Sequence, residues 1–147
     1  MIMKSIFKIT ILLIALQLSG CGGDNEKSNK EIKADMLTQS PWGHAQVTHS
    51  PDGDLSGQYE NFSILFTDQS ADGFDGTYFI SNGGYAFSET TGNWKFNDAL
   101  DQIILDSGKE MDMQLDEEHL QLDFVTAPPG GKAAGLSGHF TFDLQPL

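Results

Sequence analysis

The 147-residue chain has a single cysteine, Cys21, and no arginine at all. With one thiol there can be no internal disulfide, so whatever folds must be held by a packed core. Eight lysines stand against 21 acidic residues, a formal charge of −13. Such a chain is a poor partner for nucleic acid, whose phosphates are gripped by Lys and Arg. It also lacks a basic patch for anionic head groups. Long apolar runs are missing too. The longest, residues 9–16, is broken by Thr10 and falls far short of the ~20 residues a spanning helix needs.

What is present begins at the N-terminus. Lys4 and Lys8 precede that short apolar run, and Leu18-Ser19-Gly20-Cys21 follows it. A basic start, a short apolar stretch and small residues before a cut mark a removed signal peptide. The cysteine makes it the pattern of a bacterial lipoprotein. Residues 1–20 are expected to be cleaved off, and Cys21 to be acylated. Loss of Lys4 and Lys8 takes the formal charge from −13 to −15 over the remaining 127 residues. Gly22, in place of Asp, points to the outer membrane. The expected membrane contact is the lipid on Cys21.

Residues 21–36 are polar and charged, with almost no large apolar side chain. They read as a disordered tether, in which a helical turn near Lys30–Met36 would be marginal alone. A single domain is expected over residues 37–147.

From Leu37 onward the dominant period is two. In His119–Phe124, Leu120, Leu122 and Phe124 alternate with polar residues, as do Phe140, Phe142 and Leu144 further on. Met111, Met113 and Leu115 alternate with Asp112, Gln114 and Asp116, and Trp94 and Phe96 flank Lys95. Phe62, Ile64 and Phe66 form another such set, with weaker segments at Trp42–Thr48, Thr77–Ser81, Tyr85–Ser88 and Gln102–Asp106. This alternation is that of half-buried strands. Tyr85 and Phe87 are placed on the inward face with the other aromatics. Turn residues at Asn82-Gly83-Gly84, Asn97–Asp101, Ser107-Gly108 and Asp116–Glu118 join the strands in sequential hairpins. The expected fold is all-β: an antiparallel up-and-down β-barrel of eight or nine strands, with a two-sheet sandwich as the alternative.

The residues Leu37, Trp42, Phe62–Phe66, Asp75–Tyr78, Gly92–Asn97, Ile103–Asp106, Leu120–Phe124 and Leu136–Phe142 resemble the lipocalin-like domain of small Bacteroidota-type lipoproteins. The resemblance runs from about Leu37 to Leu147 and implies a lipocalin-like barrel. Its motifs are strand aromatics and turn glycines, so it implies no catalytic residues. Ser40-Pro41 stand where a true lipocalin has its Gly-x-Trp opening, which argues against a deep calyx.

Candidate chemistry is sparse. Asp52, Asp54 and Ser56 supply oxygens at the first, third and fifth positions of a calcium loop, with Gly57 sixth and Glu60 ninth. Ser63 stands twelfth, where a bidentate Glu belongs, and the same residues suit an ordinary turn. Asp68, Ser70, Asp72 and Asp75 make a similar acidic loop. His44, His49, His119 and His139 read as surface residues. Ser137 lacks the Gly-x-Ser-x-Gly elbow of a hydrolase. No cofactor and no enzymatic activity are expected. Crowding of large aromatics predicts a filled centre. Binding would then use the rim, with Asp68, Asp72 and Gly76 on one long loop and Pro128 and Gly131 on another. The expected function is a binding module for a small apolar ligand, a glycan or an envelope protein. The alternatives are a structural or assembly module without a small ligand, and a hydrolase.

Overall fold

The structure, a computed structural model, describes residues 26–126 and 137–147. Its elements are α1 (Asn29–Thr38), β1 (Trp42–Ser50), β2 (Gly53–Asp54), β3 (Ser63–Thr67), β4 (Gly76–Ser81) and β5 (Thr91–Phe96). They continue with β6 (Gln102–Leu105), β7 (Glu110–Leu115), β8 (Leu120–Thr126) and β9 (Gly138–Pro146). A 3-10 turn covers Ser56–Gln58.

Eight of the strands close into an up-and-down barrel. Sequential neighbours from β3 to β9 pair antiparallel, and β1 pairs with both β9 and β3. The two-residue β2 hangs on β1 outside this ring. Closure removes the free edges that an open meander would expose. The two seams of β1 differ greatly. Against β9 it runs from Trp42↔Pro146 to Ser50↔His139, whereas against β3 the register holds a single pair, Trp42↔Ile64. Beyond that pair, residues 51–62 fill the gap: Leu55 N donates to Val47 O, and Val47 N donates to the Ser56 hydroxyl. A bulge between Gly43 and Gln46 places His44 at φ 49° and leaves it exposed.

Strand alternation sorts the side chains as expected. Trp94, Phe96, Leu122, Phe124, Phe140 and Phe142 are all buried. Phe142 is the hub of the interior. Its ring centroid lies 4.9 Å from Phe62, 5.0 Å from Tyr59, 5.4 Å from Phe87, 5.8 Å from Phe124 and 6.1 Å from Phe140. Ring pairs at these separations add to the stabilisation that burial alone gives. Tyr85 departs from the inward placement: it is 72% exposed, and residues 82–90 form no strand.

The segment expected to be a tether is helical from Asn29 onward. Ser28 and Glu31 make a reciprocal cap, in which Glu31 N donates to the Ser28 hydroxyl and Ser28 N donates to the Glu31 carboxylate. Ten residues are too few for a stable isolated helix, so tertiary contacts must carry this one. Leu37 is fully buried and its carbonyl accepts from the Trp42 indole at 2.9 Å. The lysines serve remote turns: Lys30 pairs with Asp75, and Lys33 donates to Leu100 O. Gln39 donates to Glu117 O. The β3–β4, β5–β6 and β7–β8 connections therefore all meet α1 at one end of the barrel. The opposite end is a mouth formed by residues 51–62, 82–90 and 106–109. Among the described residues no helix is long and apolar enough to cross a membrane.

Candidate functional site

Two regions hold side chains whose chemistry the fold alone does not require. The first is the mouth. Residues 82–90 dip into it rather than turning tightly. Phe87 enters the aromatic cluster at 4% exposure, and Ala86 N donates to the Tyr59 hydroxyl at 3.2 Å. Lys109, from the β6–β7 turn, reaches across the same opening. Its Nζ lies 4.5 Å above the Phe87 ring and 5.0 Å above Phe124, donates to Ala86 O at 2.7 Å, and stands 3.1 Å from the Glu89 carboxylate. Both side chains of that pair are only 13% exposed.

Burial depresses the pKa of the Lys109 amine, and Glu89 opposes the shift. Burial pushes the Glu89 carboxyl up, but the Ser107 hydroxyl bonded to it at 2.8 Å, together with Lys109, brings it below the usual range. The lowered carboxyl keeps Glu89 anionic at neutral pH, and that charge favours the protonated amine of Lys109. Beside it, Tyr78 is fully buried with a hydroxyl that has no hydrogen-bond partner among the described residues. Burial, reinforced by Asp106 and Glu89, raises that phenol to about 12. On the far side of the mouth His49 is buried, contrary to its expected surface position. It lies against the Phe140 ring at 4.4 Å, with Nδ1 3.1 Å from the Asp52 carboxylate. Its inward strand position and that carboxylate account for the difference.

The second region is on the outer wall near α1. Gln114, Gln121 and Asp143 are direct cross-strand neighbours on β7, β8 and β9. With Leu115, Asp116 and His119 they line an open cleft of about 390 Å³. Its floor is set by the β7–β8 turn, where the Asp116 carboxylate accepts from Glu118 N and His119 N, both at 2.8 Å. Those amides lower the Asp116 pKa, so it is firmly anionic. Gln121 is held by Asp123, to which its amide donates at 2.6 Å. The Gln114 amide and the Asp143 carboxylate make no hydrogen bond with the described residues, so their capacity faces the cleft unspent. Two amides, two carboxylates and an imidazole at one concave spot are equipped to bind hydroxyl and amino groups.

The residues anticipated from sequence are dispersed. Cys21, Pro128 and Gly131 lie outside the described residues. Asp68 and Asp72 are exposed at the α1 end, while Thr126 and Gly138, which flank the other long loop, lie at the mouth. The described residues that flank the two loops therefore lie at opposite ends of the barrel. Gly76 is buried in β4, where a Cβ would overlap the Thr67 carbonyl oxygen, so the backbone approach explains the glycine. Asp75 serves Lys30 and the Phe96 amide. In the calcium-like loop, the Asp54 carboxylate accepts from both the hydroxyl and the amide of Ser56, which lowers its pKa. Asp52 turns to His49, and Glu60 is exposed. Among the described residues no three His, Cys, Asp or Glu side chains are grouped to hold a metal ion. Ser137 is exposed.

Neither region was visible as a site in the sequence. Gln114, Gln121 and Asp143 are ordinary outward members of alternating strands until the register brings them level. The one hint at the mouth is Lys109, an isolated cation between Lys95 and Lys132 in an acidic stretch. No family model and no curated protein matches the chain.

Proposed function

We propose that this chain is a lipid-anchored binding module of the cell envelope, tethered through Cys21, with a lipocalin-like barrel that recognises a polar, hydroxyl-rich ligand such as a glycan on its outer wall. The observation that carries this reading is the cleft beside the β7–β8 turn. It combines a volume suited to one or two sugar rings with unspent hydrogen-bonding groups on Gln114 and Asp143. The filled aromatic centre supports it from the other side, since rings packed around Phe142 leave recognition to the surface. Isothermal titration against a panel of soluble oligosaccharides tests the reading. Gln114→Ala and Asp143→Ala should each weaken binding at least tenfold while leaving the thermal midpoint nearly unchanged, as expected for side chains outside the core. A binder whose affinity neither substitution alters, or a protein that binds none of the panel, contradicts the proposal.

A second reading, docking against an envelope protein, is favoured by one feature of the same wall. The outward positions of β7, β8 and β9 carry Glu110, Asp112, Asp123 and Asp143 and no lysine. Asp112 lies directly opposite Asp123, an arrangement that costs stability. A basic partner surface would relieve that repulsion, and its binding would fall steeply with salt, whereas glycan binding would not.

A further inference from the structure

Every aromatic side chain around Phe142 except one is anchored by a strand or by the residues that close the β1–β3 gap. Phe87 is the exception. It sits in the middle of residues 82–90, which join β4 to β5 without belonging to a ladder. Among the described residues, the main-chain bonds of this segment are Ile80 N to Thr90 O at its base and Phe87 N to Gly83 O within it. Besides the packing of Ala86 and Phe87, its remaining attachments are single polar bonds: Ala86 N to the Tyr59 hydroxyl, Lys109 to Ala86 O, the Ser107 hydroxyl to the Glu89 carboxylate, and the Asn82 amide to Asn61 O. Water can replace each of them. The segment leaves β4 through Asn82 at φ 55° and Gly84 at φ 56°, and carries Tyr85 almost fully outside. Its other charged tie, Glu89, is itself the partner of Lys109.

We infer that Phe87 is a removable plug: residues 82–90 swing outward as a unit, and the space Phe87 vacates is a second binding site, for a flat apolar molecule of one or two rings. The vacated space is walled by Phe62 (5.5 Å, stacked), Phe124 (4.9 Å) and Phe142 (5.4 Å). A ring-lined void of about 150 Å³ stays dry and admits a molecule the size of benzene. The ligand reproduces the contacts Phe87 gives up, so the exchange is near balance. The Lys109–Glu89 pair is the latch. Both ions are dehydrated while the plug is seated, and both regain water when it leaves, which offsets part of the lost packing. Because only the open fraction binds, apparent affinity scales with that fraction. This site is at the mouth, away from the outer-wall cleft, and takes ligands of the opposite polarity.

The test is titration of the full chain with indole, read by amide and aromatic-ring NMR shifts. Saturable binding should move the amides of residues 82–90 and the rings of Phe62, Phe124 and Phe142. Lys109→Met, which unlatches the segment, should tighten indole binding about tenfold. Gln114→Ala at the outer wall should leave indole binding as it was, so the two sites fail or succeed separately. Phe87→Ala should bind indole without moving the 82–90 amides. If neither the wild type nor Lys109→Met binds indole, the plug does not open, and the inference is overturned even if Phe87→Ala binds. Should Phe87→Ala not fold, the other two proteins decide the matter alone. Shifts confined to any region other than the mouth also overturn it.

Discussion

A buried hydroxyl without a partner costs stability, and Tyr78 carries one with none among the described residues. Leaving a polar group unsatisfied in the interior costs about 1–3 kcal/mol. Replacing Tyr78 by Phe removes the hydroxyl and keeps the ring, so Tyr78→Phe should raise the thermal midpoint by a few degrees. The same group governs alkaline behaviour. Its folded pKa of about 12 lies above the ordinary 10, so the neutral phenol is favoured in the fold. That contribution is fully present below pH 10 and is lost as pH rises from 10 toward 12, roughly 2–3 kcal/mol in all. Denaturant unfolding of wild type between pH 9 and 12 should show this decline, and Tyr78→Phe should lack it. A lowered midpoint in the variant would mean that the hydroxyl is engaged after all. Glu89 acts at the other extreme. Its folded pKa is depressed, so its contribution is held above the ordinary carboxylate pKa and fades as pH falls through the depressed value. Trp94 and Phe124 bind the core by size: truncating either to Ala should cost about 3–5 kcal/mol by denaturant titration.

At the level of elements, α1 and the 82–90 segment show what a linear reading reaches and what it does not. The strands were legible because each has water on one face and core on the other, which writes a period of two into Leu120–Phe124 or Phe140–Leu144. Helix α1 was not, because its composition is that of a solvated segment. Its order comes from a cap at Ser28 and from acceptors on turns that lie up to 78 residues away, as in the Gln39–Glu117 bond. The Asn82-Gly83-Gly84 turn signal was real but misread. Two of its residues take positive φ, yet they launch a nine-residue excursion that buries Phe87 and leaves Tyr85 in solvent. His49 was misjudged because the expected strand ended at Thr48, one residue short of its inward position on β1. For α1 the consequence is direct. Ser28→Ala should lose about 1 kcal/mol through the cap, and Leu37→Ala about 2–5 through the core. Hydrogen exchange should then show the 29–38 amides opening before those of β8 and β9. Unchanged protection in Leu37→Ala would mean that α1 is held by its polar bonds alone.

For the whole molecule, charge and connectivity bear on the lipid-anchor proposal. Residues 39–147 contain three lysines against 17 acids, so the barrel itself has no attraction for an anionic membrane. Under the lipid-anchor proposal, Cys21→Ser should move the protein from the membrane fraction to the soluble one and abolish palmitate incorporation. Continued fractionation with membranes would refute the anchor. Seven residues separate Cys21 from Asn29, eight steps along the chain and a reach of at most about 29 Å. Under the same proposal, the α1 end, with the outer-wall cleft beside it, would stay close to the lipid surface. The cleft itself was beyond the sequence because its parts, Gln114, Gln121 and Asp143, meet only through the register of three strands. The most direct test is to titrate the ¹⁵N-labelled protein with the tightest-binding soluble oligosaccharide and map the amide shifts. Saturable shifts at Gln114–Asp116, His119, Gln121 and Asp143, with the ring signals of Phe142 undisturbed, are the predicted result. Shifts centred on the barrel interior, or none along β7–β9, would contradict recognition at the outer wall.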